Sequence, residues 1–415
     1  MILSTVYEVS TEAYYSEGVE AKENNSMAAK NDRVESALLR RINERRLLEV
    51  IQRSGPSSRA ALTRLSGLTA PTVSKAVESL LTRGLIEELD PIEPALGRPG
   101  RLVRMATDSA TVLGAVIDTD LCCVTAAGLD GRISEEQTLR FPTPNTYAAL
   151  LDALEEHCKT LLTRTSAAPR GIGLSVPGLV NQRLKQVVFC PNLHLLDKQN
   201  PARDLEARLG VECLLLHETD ALCLSERTYG DARGMQDFAL LDVTRGLGLG
   251  VVEGGELVAG HSGMAGEIGH ITVDPAGVRC GCGNRGCLET LATDAALVRL
   301  MADRASTSLT LADAARLLDE RPADFQHEVR TVTEHMAIAI AAVINIFNPT
   351  TVFVHGTLLV DHKERFDQVL ERVKQRTLTA SLAECAIVPT KSSKRQGAVA
   401  GIMHRLTNAW APAIR

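Results

Sequence analysis

Between Leu38 and Gln52 the apolar residues Leu38, Ile42, Leu47, Leu48 and Ile51 recur at roughly helical spacing, and Ser-Gly-Pro at 54–56 ends the run. Ser57 or Ser58 can cap a short second helix, RAALTRLSG, with Leu62 and Leu65 turned inward and Gly67 as its stop. After a tight turn Thr69 caps APTVSKAVESLLTRG, where Pro71 is tolerated in the first turn and Gly84 closes the helix. Its core positions are Val73, Val77, Leu80 and Leu81. Two strand-like runs around a Pro- and Gly-rich hairpin follow in LIEELDPIEPALGRPGRLVRM, the pattern of a wing. Together these elements predict a winged helix-turn-helix.

From Thr111 the pattern changes to strand, turn, strand (VLGAVID, LCCVTAAGLDGRI), then a helix from Asn145 to Thr163 and the apolar strand GIGLSVPG. A second strand-rich start, FALLDVTRGLGLGVVEGGELV, opens another such unit after Gly234. Long helices follow, with VRTVTEHMAIAIAAVINIFN among them, then TTVFVHG and a closing GAVAGIMHRL. The alternation predicts an α/β core of two lobes, and ligands usually sit in the cleft between lobes. The expected domains are a disordered leader at 1–30, the winged helix at 31–105 and the core at 106–415.

Composition refines this picture in two places. The 415-residue chain has a net charge of -6, but residues 31–104 hold 13 Arg and Lys against 9 Asp and Glu, so the front end is the basic part. In a winged helix the head of the third helix meets base edges in the major groove, which here means Ala70, Pro71, Thr72, Ser74 and Lys75. Arg98 and Arg101 are placed for the minor groove. The same three-helix unit can instead serve as a protein contact. Secondly, no uninterrupted apolar run reaches the ~18 residues of a spanning helix, and a secretory signal is missing, which together predict a cytoplasmic protein with no membrane partner.

The ten cysteines are scattered except for one cluster, GHITVDPAGVRCGCGNRGCLE, with His270, Cys280, Cys282 and Cys287 at H-x9-C-x-C-x4-C spacing. One tetrahedral zinc ion would satisfy all four, and with four protein ligands its shell would be closed, a structural rather than a hydrolytic metal. The alternative is a chance grouping of reduced thiols, which leaves the glycine beside each cysteine without a purpose.

AGEIGH at 265–270 followed by CGCGNRGCLE resembles the signature of the ROK family, which contains bacterial sugar kinases and sugar-responsive transcriptional repressors. PGLV at 177, TDA at 219, GLGLGVVEGGEL at 246 and GAVAG at 397 follow in the expected order. The resemblance implies an actin-like, ribonuclease H-like sugar-kinase fold for 111–410, and the winged helix resembles the repressor branch. It implies sugar-hydroxyl contacts from Glu267, His270 and Glu289. It matches Asp220 to the general base of the kinases, which in a regulator would be a ligand contact together with Thr219, and Gly178 to a loop glycine at the same site. Where the kinases have Asn before that Asp, this chain has Thr219, so the preferred sugar is not carried over.

A further departure concerns the nucleotide. Where the kinases carry an Asp-x-Gly-Gly-Thr loop, this chain reads VIDTDLCC, which puts Asp118, Thr119 and Asp120 where polyphosphate oxygens would lie. TRGLGLG keeps part of a second glycine-rich loop, a pattern that an ordinary hairpin also produces. The leading expectation is a non-enzymatic, DNA-binding repressor of carbohydrate-metabolism genes. Its core would sense a small sugar effector, and it would act as a homodimer or dimer of dimers on a pseudo-palindromic operator. An ATP-dependent sugar kinase with Asp220 as base, and a regulator answering to a protein partner, are the alternatives.

Overall fold

The computed structural model describes residues 38–89 and 101–408, so Arg98 and the expected leader at 1–30 lie outside the described residues. Two compact units divide between Arg104 and Met105.

The first unit has a helix over residues 38–54, then helices Arg59–Ser66 and Ala70–Thr82. Strands Ser57–Ser58, Ile86–Leu89 and Leu102–Met105 form a small sheet with Leu102–Met105 in the centre. Ser58 is the cap of the second helix, accepting from Ala61 N–H at 3.2 Å, and Gly67 ends it at φ 67°. Thr69 caps the third. Leu47, Ile51, Leu62, Val73, Val77 and Leu80 form the core. Two expected core positions are on the surface instead: Ile42 is 42% and Leu65 52% exposed. In their place Glu44 is buried, its carboxylate held between Arg40 and Arg83, and Leu62 with Ser66 takes the inner face of the short helix.

The second unit has two lobes. In the first, five strands run in the order Cys213–His217, Ala168–Val176, Ala110–Val116, Leu121–Ala127, Thr138–Pro142. The first three of these are parallel and the last two pairings antiparallel. Helices Tyr147–Thr163 and Pro201–Leu209 cover one face through Leu150, Leu154, Leu161 and Leu205. The closing helix Lys394–Asn408 lies so close on the other that a Cβ at Gly173 would come within 2.0 Å of the Ala398 carbonyl oxygen.

The second lobe has the strand order Glu256–Leu257, Gly248–Glu253, Phe238–Asp242, Thr351–His355, Ala386–Pro389. Its core gathers Leu241, Leu249, Val354 and the helices after residue 288. Helix Gln326–Phe347 is long and apolar enough for a membrane span, yet Val332, Met336, Ile340 and Ile344 are buried in this core. Helix Glu218–Tyr229 lies between the lobes, with Leu222 and Cys223 against Phe238 and Phe353, and Ala221 and Leu224 beside Leu216. TRGLGLG forms the turn of the antiparallel hairpin and the start of its second strand, Gly248–Glu253, which pairs with Phe238–Asp242.

Candidate metal centre and ligand cleft

The cysteine loop is a narrow ribbon. Cys280 N–H donates to Asn284 O at 2.8 Å, and Val273 N–H to Gly286 O at 2.8 Å. Gly286, at φ 61°, passes so close that a Cβ would sit 1.5 Å from the Asp274 carbonyl oxygen, so only glycine fits the turn that brings Cys287 back. Donor atoms of His270, Cys280, Cys282 and Cys287 all lie within 4.8 Å of one another. Cys282 and Cys287 sulfurs are 3.7 Å apart, and His270 Nδ1 is 3.6 Å from Cys280 Sγ. Zinc–sulfur bonds of about 2.3 Å at tetrahedral angles place sulfurs about 3.8 Å apart, so these residues fit such an ion. No disulfide joins the described cysteines.

The same imidazole reaches the cleft. His270 Nε2 faces Glu267 at 3.9 Å while Nδ1 faces the sulfurs. Glu289, at the start of helix Glu289–Ala292, accepts from the Cys280 thiol at 3.0 Å. Gly178, at φ 85°, turns the chain beside Phe189 and Cys190, where a Cβ would come within 2.6 Å of Phe189 O. Gly178, Glu267, His270 and Glu289 line one cleft together with Asn192, His217, Glu218 and Arg245. Burial, reinforced by Glu289, Asp220 and Glu218, pushes the Glu267 carboxyl up to about 7. A carboxyl in that range can both donate to and accept from a hydroxyl.

Of the expected ligand contacts, Thr219 and Asp220 are not among the cleft-lining residues. Thr219 is buried, with its hydroxyl 2.6 Å from His217 Nδ1 and its methyl against Gly248. The helix starts at Glu218, so its first turn points Thr219 back toward the second lobe's hairpin and leaves His217 and Glu218 facing the cleft. Those two escaped the sequence reading; both flank the matched Asp, but neither belongs to a motif. Asp220 is half-buried and raised by burial, against the pull of His217, and makes no hydrogen bond or ion pair among the described residues. Asp118 and Asp120 face Arg245 across the cleft.

On the winged helix, Ala70, Pro71 and Lys75 are exposed and Thr72 and Ser74 half-exposed at the head of the third helix. Arg101, read as a groove-entering group, donates to Glu88 at 2.7 Å, whose other oxygen takes Arg59 at 3.0 Å. Arg101 holds the Glu88 carboxyl below the usual range. Glu88 had no place in the sequence reading, because its partners are 13 and 29 residues away.

Known proteins bear on both units. The ROK family profile matches residues 118–406 and a MarR family profile residues 40–92. The DNA-binding transcriptional dual regulator NagC of Escherichia coli K12 is 26% identical over 395 residues, spanning 89% of this chain and 94% of its own. The xylose repressor of Bacillus subtilis is 25% identical over 347 residues, 83% of this chain and 90% of its own. A ROK family transcriptional regulator, homologue of the E. coli MLC protein, superposes with a TM-score of 0.75 at 24% identity, over 90% of this chain and 98% of that one. A Streptomyces griseus ROK glucokinase, in complex with glucose and AMPPNP, does so at 0.62 and 21% identity, over 70% and 97%. A kinase-like two-lobed core behind a MarR-type winged helix is thus what the residues build, and the chain belongs to the ROK family.

Proposed function

We propose that the chain is a cytoplasmic DNA-binding transcriptional repressor of carbohydrate-metabolism genes, and that its ROK core binds a sugar which modulates operator affinity. The observation that carries this reading is the convergence of Gly178, Glu267, His270 and Glu289 on one cleft, in a chain that also bears an exposed recognition-helix head. Carboxylates accept from vicinal hydroxyls, and the imidazole presents one ring nitrogen to the cleft and the other to the sulfurs. Relatives named as a DNA-binding transcriptional dual regulator and a xylose repressor, matched over 89% and 83% of this chain, support the assignment.

Zinc is the proposed metal. His270, Cys280, Cys282 and Cys287 would hold it, and it would supply a fixed ring orientation for His270, with no position left for a water. Ala70, Pro71, Thr72, Ser74 and Lys75 are the proposed base- and phosphate-contacting group, and Arg98 and Arg101 the proposed minor-groove contacts. A homodimer, or a dimer of dimers, would set two recognition helices on a pseudo-palindromic operator. Sugar that prefers one spacing of the lobes then shifts DNA affinity by its differential binding.

The retained Asp220, whose carboxyl burial raises against the pull of His217, favours phosphoryl transfer as a second reading. Against it stand Asp118, Asp120 and Arg245, which fill the strand ends with paired charge. Selection of bound oligonucleotides with and without a panel of hexoses, pentoses and amino sugars tests the repressor. A coupled assay with ATP and the same panel tests the kinase. Turnover, or indifference to duplex DNA of every sequence, overturns the proposal.

A further inference from the structure

Two lobes meeting at the carboxyl ends of parallel strands make a crevice in which ligands bind, and the strand ends here converge on a cation that belongs to the chain. Asp118 follows strand Ala110–Val116, Glu218 follows Cys213–His217, and Asp242 ends Phe238–Asp242. All three carboxylates face Lys394 Nζ: Glu218 at 2.5 Å, Asp242 at 3.2 Å and Asp118 at 3.9 Å. Three carboxylates from separate strands aimed at one point are the donors that a divalent ion takes, and an ammonium fills that point.

The lysine's base is fixed. Lys394 is the first residue of the closing helix, which the glycines at 173 and 114 seat directly on the first lobe's sheet. Its ammonium nevertheless reaches Asp242, a residue of the second lobe, whose other oxygen accepts from Thr244 Oγ1 at 2.7 Å and lies 3.0 Å from His355 Nδ1. Although burial opposes every charge here, Asp242 is held ionised by Lys394 and His355, and Lys394 is held protonated by Asp242, Glu218 and Asp118. A second tie crosses in the opposite direction, from Arg245 in the second lobe's hairpin turn to Asp118 and Asp120 in the first.

We propose that Lys394 and Arg245 act as built-in cations that tie the two lobes together at the strand ends, so that the chain supplies from within the charge that a bound metal would otherwise bring. The tie holds whichever sugar the core binds and whether or not the chain represses a promoter. Since Glu218, Arg245 and Lys394 also line the cleft, it fixes the lobe spacing at the place where a ligand must act.

Thermal unfolding of the full chain and of Lys394→Met, with and without millimolar Mn2+, tests it. Removing one partner of a buried ionic cluster leaves like charges uncompensated, and the unfolding midpoint of the variant is expected to fall by roughly 10 °C. Mn2+ is expected to restore at least half of that loss in the variant while leaving the parent unchanged, because the vacated point is a carboxylate cage. A variant that unfolds with the parent, or an Mn2+ effect equal in both proteins, overturns the proposal. Should Lys394→Met not fold, Arg245→Ala, a half-exposed position, gives an independent reading. Amide hydrogen exchange at 119–122 and 245–247 is expected to speed up about tenfold or more in that variant, and unchanged exchange overturns the tie.

Discussion

His270 Nδ1 stands 3.6 Å from the sulfur of Cys280 while Nε2 of the same ring faces Glu267 at 3.9 Å, so one side chain belongs to both the metal cluster and the ligand cleft. Replacing Cys282 with Ser should therefore abolish stoichiometric zinc, read by elemental analysis, and weaken sugar binding about tenfold or more, read by calorimetry. Undiminished sugar affinity in the metal-free variant would show that the ring needs no metal to orient it.

Glu267 and Glu289 are the proposed contacts to sugar hydroxyls. A hydrogen bond to a charged group contributes about 1.5–3 kcal/mol, so Glu267→Gln should lower sugar affinity by about 10- to 100-fold with little change in DNA affinity when sugar is absent. Loss of DNA binding in the sugar-free variant would mean that the side chain serves the fold rather than the effector.

Lys75 projects from the first turns of the recognition helix and is exposed. Lys75→Ala should weaken operator binding by about 1–3 kcal/mol in an electrophoretic or fluorescence titration. Lys363→Ala, on an exposed core helix where the lysine pairs with Asp367, is the matched control and should bind as the parent does. Equal binding by both variants would move the DNA-contacting surface elsewhere.

Asp294, buried at the start of helix Asp294–Ala305, accepts from Thr357 N–H at 2.7 Å and Leu358 N–H at 3.0 Å. Burial pushes its carboxyl up to about 6, above the unfolded value near 3.9. A raised carboxyl contributes stability that is full below about pH 4 and lost as pH rises through about 6. Urea unfolding at pH 4.5 and pH 7.5 should show the parent gaining on Asp294→Asn toward acid, by about 2 kcal/mol. A difference that stays constant with pH would contradict that assignment.

Local signals carried much of this molecule. Ser58, Gly67 and Thr69 cap helices where their residue types said they would, and the histidine–cysteine spacing closes into a single cluster. What stayed hidden needs partners far apart in the chain. Glu44 reads as a surface residue of an amphipathic helix until Arg83 is brought beside it, and Glu218 meets Lys394 across 176 positions. Thr219 sits in a matching motif, yet a helix start one residue earlier turns it inward, a rotation that motif spacing does not encode.

The carboxylates of the winged helix have a consequence for how it meets DNA. Glu44, Glu87 and Glu88 pair with Arg40, Arg59, Arg83, Arg101 and Arg104, so three carboxylates offset part of the charge of these five arginines. Only cations that neutralise phosphates release condensed counterions, each contributing about 0.9 to the slope of log affinity against log salt. Operator binding should consequently weaken less steeply with ionic strength than the unit's basic count alone would give.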